Sequence, residues 1–422
     1  KWIAQLARRN VERFNFYDLT GKTNIRLNRS NRVFFSFYSG ADNYFGENNG
    51  LAWSNNAGTI RWNHLFSDRL FLNTTVAASG YDYFLYTDVG TNTRWNSHIS
   101  NFNIKTDFSY YLRPGNELTF GAGLNGFSFN PGNLLSDSNI PDRLSLSVRN
   151  AVEFVLYGNH EIRLTERLGL SYGLRLSSWT NSGESFEFVF DKNRNPIDTL
   201  FFQRGENYNT YNNAEPRMTI SYSLDENSSL KANASRNIQN VHLISNSISP
   251  FTSLEVWLPS SLNLKPQKST QYVLGYYRNL ASAGSNVSVE GYYKKMYNQI
   301  DYTAHAETLL NPLLERELRF GEAWSYGIEF LAKKDEGRLR GLAGYTFSRV
   351  KRKFPGINQG RVYNAFSDRP HQLSMMLSYD LTLRGNAGLN WIFTTGAPFS
   401  SPLGFYRFNG EEVPVYGQKN DD

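Results

Sequence analysis

Period two dominates the chain. From Asn101 to Leu112, the residues Phe102, Ile104, Thr106, Phe108, Tyr110 and Leu112 fall on one face, and Asn103, Lys105, Asp107 and Ser109 on the other. That is the alternation of a strand with one apolar and one polar side. The next run repeats it, with Leu118, Phe120, Ala122 and Leu124 opposed by Thr119, Gly121, Gly123 and Asn125. Between them, the Pro-Gly centre of Arg113-Pro114-Gly115-Asn116-Glu117 is a turn signal. The unit recurs at Val152–Tyr157, Leu168–Ser177, Trp324–Lys333 and Gln372–Asp380.

Counting such runs predicts about sixteen strands paired by about eight short turns. The turns centre near Ser30, Ser67, Pro114, Glu166, Glu226, Ala283, Glu336 and Arg384. The other connections read as long and polar-aromatic, over residues 42–55, 87–99, 130–148, 182–212, 238–266, 303–317 and 350–368. Tight turns on one side and long loops on the other are the asymmetry of a transmembrane β-barrel, whose short turns face the periplasm. A soluble sandwich or propeller has no reason to alternate in that way. The predicted fold is therefore all-β, an antiparallel transmembrane barrel spanning the whole chain as one domain. Following strand direction through the turns, the first strand, near Phe14–Asn28, runs down and the last, near Ala387–Phe393, runs up. A barrel that starts and ends in the periplasm would do neither, so the expectation is the interior of a larger barrel.

Composition supports this class. Aromatics make up 15% of the 422 residues, with 26 Tyr and 30 Phe, while charged residues are only 19%. The mean hydropathy is −0.51, and no window approaches the ~18 consecutive apolar residues of a helical span. A barrel tolerates such polarity because only alternate strand residues meet lipid. The absence of cysteine excludes disulfides, thiolate metal sites and thiol nucleophiles. The net charge of +6 carries no basic stripe that would suit nucleic acid. Residues 1–9 lack the apolar core and small-residue cleavage site of a signal peptide.

Strings that resemble catalytic motifs do not sit where their chemistry needs them. Gly169-Leu170-Ser171-Tyr172-Gly173 fits an esterase elbow but lies within a strand pattern, with no strand–turn–helix bend to expose the serine. Gly121–Gly126 fits a dinucleotide fingerprint but opens no helix. His160-Glu161 lacks a second histidine, and His64, His98, His242, His305 and His371 show no ligand spacing. Asp191–Pro196 starts like a calcium loop, yet has neither its sixth-position glycine nor its distal glutamate. Neither an enzyme nor a cofactor is expected.

Several stretches resemble the barrel of TonB-dependent outer-membrane receptors, particularly those with an N-terminal carboxypeptidase-regulatory-like domain. The resemblance is carried by Phe16-Tyr17-Asp18-Leu19 with Lys22, Ser36-Phe37-Tyr38 with Gly40 and Asp42, Glu215-Pro216-Arg217, and Ala234-Ser235-Arg236-Asn237 with Gln239, His242 and Leu243. It continues in Trp257 with Pro259-Ser260-Ser261, Lys265-Pro266-Gln267, Tyr292-Tyr293-Lys294, Tyr326-Gly327 with Glu329, and Gly344-Tyr345-Thr346. Asp368-Arg369-Pro370-His371 and Thr395-Gly396 with Pro398 complete the set. The resemblance implies a barrel of about 22 strands with a plugged lumen. It further implies uptake driven through a plug by the TonB-ExbB-ExbD motor, an imported ligand of unknown identity, and a surface lipoprotein as a conceivable cap. No plug, TonB box or closing strand is recognisable in this sequence. The rival transport reading is a passive sixteen-stranded porin, and a third is an outer-membrane adhesin or enzyme barrel.

Two groups of residues are candidates for binding. Trp257, Phe201, Phe202, Tyr83 and Trp95 stand among Asn, Asp and Arg in the loops, where rings stack on sugars, peptides or chelates. The bland alternative is an aromatic girdle at headgroup level, or, for Trp257, Phe201 and Phe202, loop packing. Phe251 belongs to the same group. Arg349, Lys351, Arg352 and Lys353 top an upward strand, where they would neutralise lipopolysaccharide phosphates. A solvated rim and an anionic-ligand site are the alternatives.

Overall fold

The computed structural model describes residues 11–46, 49–88, 92–136, 146–245, 255–303, 306, 311, 313–408 and 411–420. The first eight strands are β1 (Val11–Arg26), β2 (Asn31–Gly46), β3 (Asn49–Ser67), β4 (Leu70–Asp88), β5 (Asn92–Arg113), β6 (Asn116–Ser136), β7 (Arg149–Arg163) and β8 (Leu168–Ser182). A loop hairpin of β9 (Ser185–Phe190) and β10 (Pro196–Phe202) follows, then β11 (Asn207–Ser223) and β12 (Ser228–Gln239). A second hairpin, β13 (Val241–Ser245) with β14 (Glu255–Pro259), precedes β15 (Gln267–Leu280), β16 (Ser285–Tyr302), β17 (Leu318–Lys334) and β18 (Leu339–Lys353). The short β19 (Val362–Asn364), β20 (His371–Asp380), β21 (Asn386–Thr394) and a third hairpin of β22 (Pro402–Phe408) with β23 (Glu411–Tyr416) complete the chain.

One antiparallel wall runs from β1 to β8 in order. It continues through β11, β12, β15, β16, β17, β18, β20 and β21, with β19 added to the top of β18. The three hairpins form separate two-stranded sheets off this wall. Among the described residues β1 and β21 are not paired with one another. The expected tight turns all occur. At two of them Gly115 (φ 75°) and Gly337 (φ 87°) take the left-handed conformation that a Cβ would strain.

Partners across an antiparallel ladder share a face, so the register assigns every side chain to lipid or lumen. Leu124, Ile104, Val76, Ile60 and Phe35 form one continuous row across β6, β5, β4, β3 and β2. The adjacent row on the opposite face is Asn125, Asn103, Ala77, Thr59 and Ser36. Apolar side chains thus stand outward, and small or polar ones line the interior. Ser171 of the esterase-like string lies mid-strand in β8 on the lumen row, where its Oγ meets the Asn159 side chain. The Gly121–Gly126 string lies inside β6.

Most of the long connections are shorter than the pattern predicts. β2 runs to Gly46 and β3 begins at Asn49, inside the expected 42–55 loop. The 87–99 stretch is also mostly ladder, and β5 reaches 22 residues where crossing a bilayer takes about 9–11. The wall therefore projects beyond the membrane. There both faces meet water or protein, so alternation fades while backbone pairing continues. Residues 182–212 and 238–266 contain the first two hairpins rather than open loop. Phe251 and His305 lie outside the described residues.

The sidedness predicts unequal costs. Arginine in place of outward Leu274, near the middle of β15, should destabilise the barrel by about 2–4 kcal/mol. Arginine in place of inward Asn233 on the adjacent strand β12, which pairs with Val273, should cost little. Urea unfolding of the protein refolded in lipid vesicles measures both, and equal losses would contradict the assignment of faces.

Candidate ligand-binding mouth

The β13–β14 hairpin is in register from Val241–Pro259 to Ser245–Glu255. Its buried Ile244, Val256 and Leu258 share one apolar cluster with two parts of the wall. From one side come Leu51, Tyr83 and Trp95, on inward positions of β3, β4 and β5; from the other come Tyr302, Leu314 and Leu318, around the β16–β17 connection. The hairpin thus ties distant segments of the wall together across the mouth. Trp257 packs against a second cluster, Phe129, Ala151 and Trp179, and meets Tyr81 edge-on with ring centroids 6.2 Å apart. Polar anchors fix the segment after the hairpin: Trp179 Nε1 donates to the Ser260 carbonyl at 3.2 Å and Tyr211 to that of Ser261 at 2.8 Å. His242 is buried beside Ser260 Oγ, and burial lowers its imidazole to about 4, leaving it neutral near pH 7.

The β9–β10 hairpin is held by charge. Arg149, inward at the top of β7, places its guanidinium between Glu187 of β9 and Glu315 of the 314–317 turn. The three side chains are 9%, 0% and 7% exposed. The Arg149–Glu187 contact is 3.2 Å. Tyr208 donates to Glu187 at 3.2 Å, and Asn263 Nδ2 to Glu315 at 2.7 Å. Burial alone would lower Arg149, but the two carboxylates hold it protonated, above its ordinary value. Burial pushes Glu187 up to about 7 against the opposing pull of Arg149. A second set lies deeper, where half-buried Arg175 bridges buried Glu153 and Glu215 across β7, β8 and β11.

The profile of the family described as TonB dependent receptor-like, beta-barrel matches residues 4–418. The chain belongs to this family. Its location is accordingly the outer membrane, as a β-barrel. Solved structures share the fold at low identity. The alcaligin receptor FauA of Bordetella pertussis is 14% identical, with a TM-score of 0.61 over 90% of this chain and 60% of that one. The ferripyoverdine receptor of Pseudomonas aeruginosa is 12% identical, with a TM-score of 0.65 over 96% of this chain and 57% of its own. The hemophore receptor HasR of Serratia marcescens is 14% identical, with a TM-score of 0.62, covering 96% and 70%. The chain thus spans about 60% of the first of these receptors. Among curated proteins none matches the sequence.

Within this TonB-dependent receptor barrel the expected aromatic residues separate into different environments. Tyr83 and Trp95 are 2% and 3% exposed, inside the apolar cluster. A Cβ on Gly132 would fall within the Trp95 ring, so the glycine makes room for it. Trp257 is half-buried between the clusters. Phe202 stacks on Tyr208 with centroids 4.0 Å apart and planes 9° from parallel. Phe201 points to solvent at 78% exposure, with Ile197 of the same hairpin at 65%. Asp191 closes a polar turn, its carboxylate accepting from the backbone of Asn193 at 2.8 Å and of Asn195 at 2.7 Å. The run Arg349–Lys353 is divided between the two faces of β18: Arg352 turns inward to Asp301 at 3.0 Å, while Arg349, Lys351 and Lys353 share the outward rows. Sequence reasoning missed the Arg149–Glu187–Glu315 cluster. Its members are 38 and 166 positions apart, and no local pattern connects them.

Glu187 gives the mouth a pH dependence. Its carboxyl is near 7 in the folded protein and about 4.3 unfolded, so the folded state holds the proton more tightly. The stabilisation from that proton is full below about 4.3 and is lost as pH rises through about 7. Intrinsic-rate-corrected hydrogen exchange should show β9–β10 amides better protected at about pH 5.5 than at about pH 8. Glu187→Gln should abolish the difference; if it persists, another group is responsible. Arg149→Met leaves two carboxylates buried without their cation, and should loosen the same hairpin by about 3–5 kcal/mol.

Proposed function

We propose that this chain forms the wall and mouth of an energised receptor that imports a scarce ligand, with loop capture followed by passage around a plug. The observation carrying this reading is the mouth itself, crossed above a polar lumen by a hairpin packed into an apolar core that joins distant parts of the wall. A passive sixteen-stranded porin would keep that opening wet. A plug coupled to the TonB-ExbB-ExbD motor, and the N-terminal carboxypeptidase-regulatory-like domain implied by the resemblance, belong to the same proposal. In this reading Ile197, Phe201 and Phe202 make the first contact with ligand, while Tyr83, Trp95 and Trp257 form the firm floor beneath. Solvent-facing apolar and aromatic groups on a hairpin suit a compact solute with an apolar or aromatic face.

Of the fold neighbours, one is bound to ferripyoverdine and another to its hemophore with haem. Ferric chelates and haem are therefore the first probes to try. The full-length protein in planar bilayers should show no large constitutive conductance; steady porin-like currents would overturn the reading. With whichever probe binds, Phe201→Ala should weaken binding about fivefold or more without lowering barrel yield. Unchanged affinity would remove Phe201 from the contact surface.

A further inference from the structure

The outward face near the extracellular end of β16–β18 is layered in a way the sequence pattern does not reveal. Phe347 of β18 pairs with Ile328 of β17, and both stand outward in the apolar belt. One row higher, Arg349 pairs with Tyr326, which itself pairs with Tyr293 of β16. In the row above, Lys351 and Lys295 flank Trp324 from its two sides. Lys353 stands another row up, opposite Glu322. Tyrosines directly above hydrocarbon-facing residues mark the headgroup level, so the cations lie at that level or just beyond it. The long loops place this end in the outer leaflet.

The balance of charge there is positive. Glu322 meets Lys295, and Asp368 meets Arg349 at 3.4 Å, while Lys351 and Lys353 form no ion pair among the described residues. Lys351 reaches only the neutral Asn364. Lys295 Nζ stands over the Trp324 ring, 5.1 Å from its centre, so the ring face supports the cation at this level. Lys351 and Lys295 are two strands apart, roughly 10 Å at the usual strand spacing. That separation suits more than one phosphate on a single headgroup.

We propose that Lys295, Arg349, Lys351 and Lys353 form a docking site for a phosphate-bearing glycolipid of the outer leaflet. The site needs only the outer-membrane location and is independent of ligand import, so either can fail without the other. Arg352 plays no part, since it faces the lumen.

Native mass spectrometry of the full-length protein in detergent tests this with diphosphorylated lipid A and its dephosphorylated form as probes. The protein should retain the phosphorylated lipid preferentially. Replacing Lys295, Arg349, Lys351 and Lys353 together by Gln should lower that retention at least about 10-fold, since each cation near an anionic surface contributes roughly a fivefold gain. Arginine in place of the three lysines should preserve it, and Arg384→Gln at a periplasmic turn should change nothing. If the fourfold variant does not fold, Lys351→Gln and Lys353→Gln singly must each weaken retention severalfold. Equal retention of dephosphorylated lipid, unchanged retention in the neutral variants, or displacement by equimolar inorganic phosphate would each overturn the site.

Discussion

Hydrocarbon offers no hydrogen bond to a peptide group, so every N–H and C=O that crosses the bilayer must find its partner within the protein. The continuous ladder answers that demand for every strand between its edges, β1 and β21, and the rest of the molecule depends on it. Pairing fixes register, and register fixes which of each two neighbouring residues meets lipid. A single row, Leu124 to Phe35, runs apolar across five strands, while the next row along is Asn, Ala, Thr and Ser. Slipping one strand by a residue would put Asn103 in lipid and Ile104 in the lumen.

Above the bilayer the constraint relaxes, and the architecture changes with it. Strands may end, pair locally or fold inward, because water or packed protein can satisfy the backbone there. The chain uses this freedom to build its mouth. The β13–β14 hairpin joins β3–β5 to the β16–β17 connection through an apolar core, and β9–β10 is pinned by Arg149 between two carboxylates. The two devices differ in character. The apolar core is held by packing without ion pairs, whereas Glu187, raised by burial, makes the pinned hairpin responsive to pH near neutrality. A firm floor beside a hairpin whose docking can vary is an arrangement suited to capture at the surface of a receptor.

The barrel class, the strand number and the tight turns were legible in the sequence because each is a local property. Alternation has a period of two, and turns such as Pro114-Gly115 carry their own conformational demand. Family resemblance was legible for the same reason, as short strings in order along the chain. Loop lengths were overestimated where the wall rises past the membrane, since alternation there no longer records which side is wet. The aromatic residues were found but not sorted: nothing in the sequence separates buried Tyr83 and Trp95 from exposed Phe201.

Sequence alone therefore determined the period, the turns and hence an outer-membrane barrel, because these follow from what one strand and its bilayer require of each other. Tertiary structure alone decided which rings pack and which face solvent, and which cation of Arg349–Lys353 turns inward. It also brought Arg149, Glu187 and Glu315 to one point. Those outcomes depend on contacts between strands and loops far apart along the chain, and no spacing along a single segment encodes them.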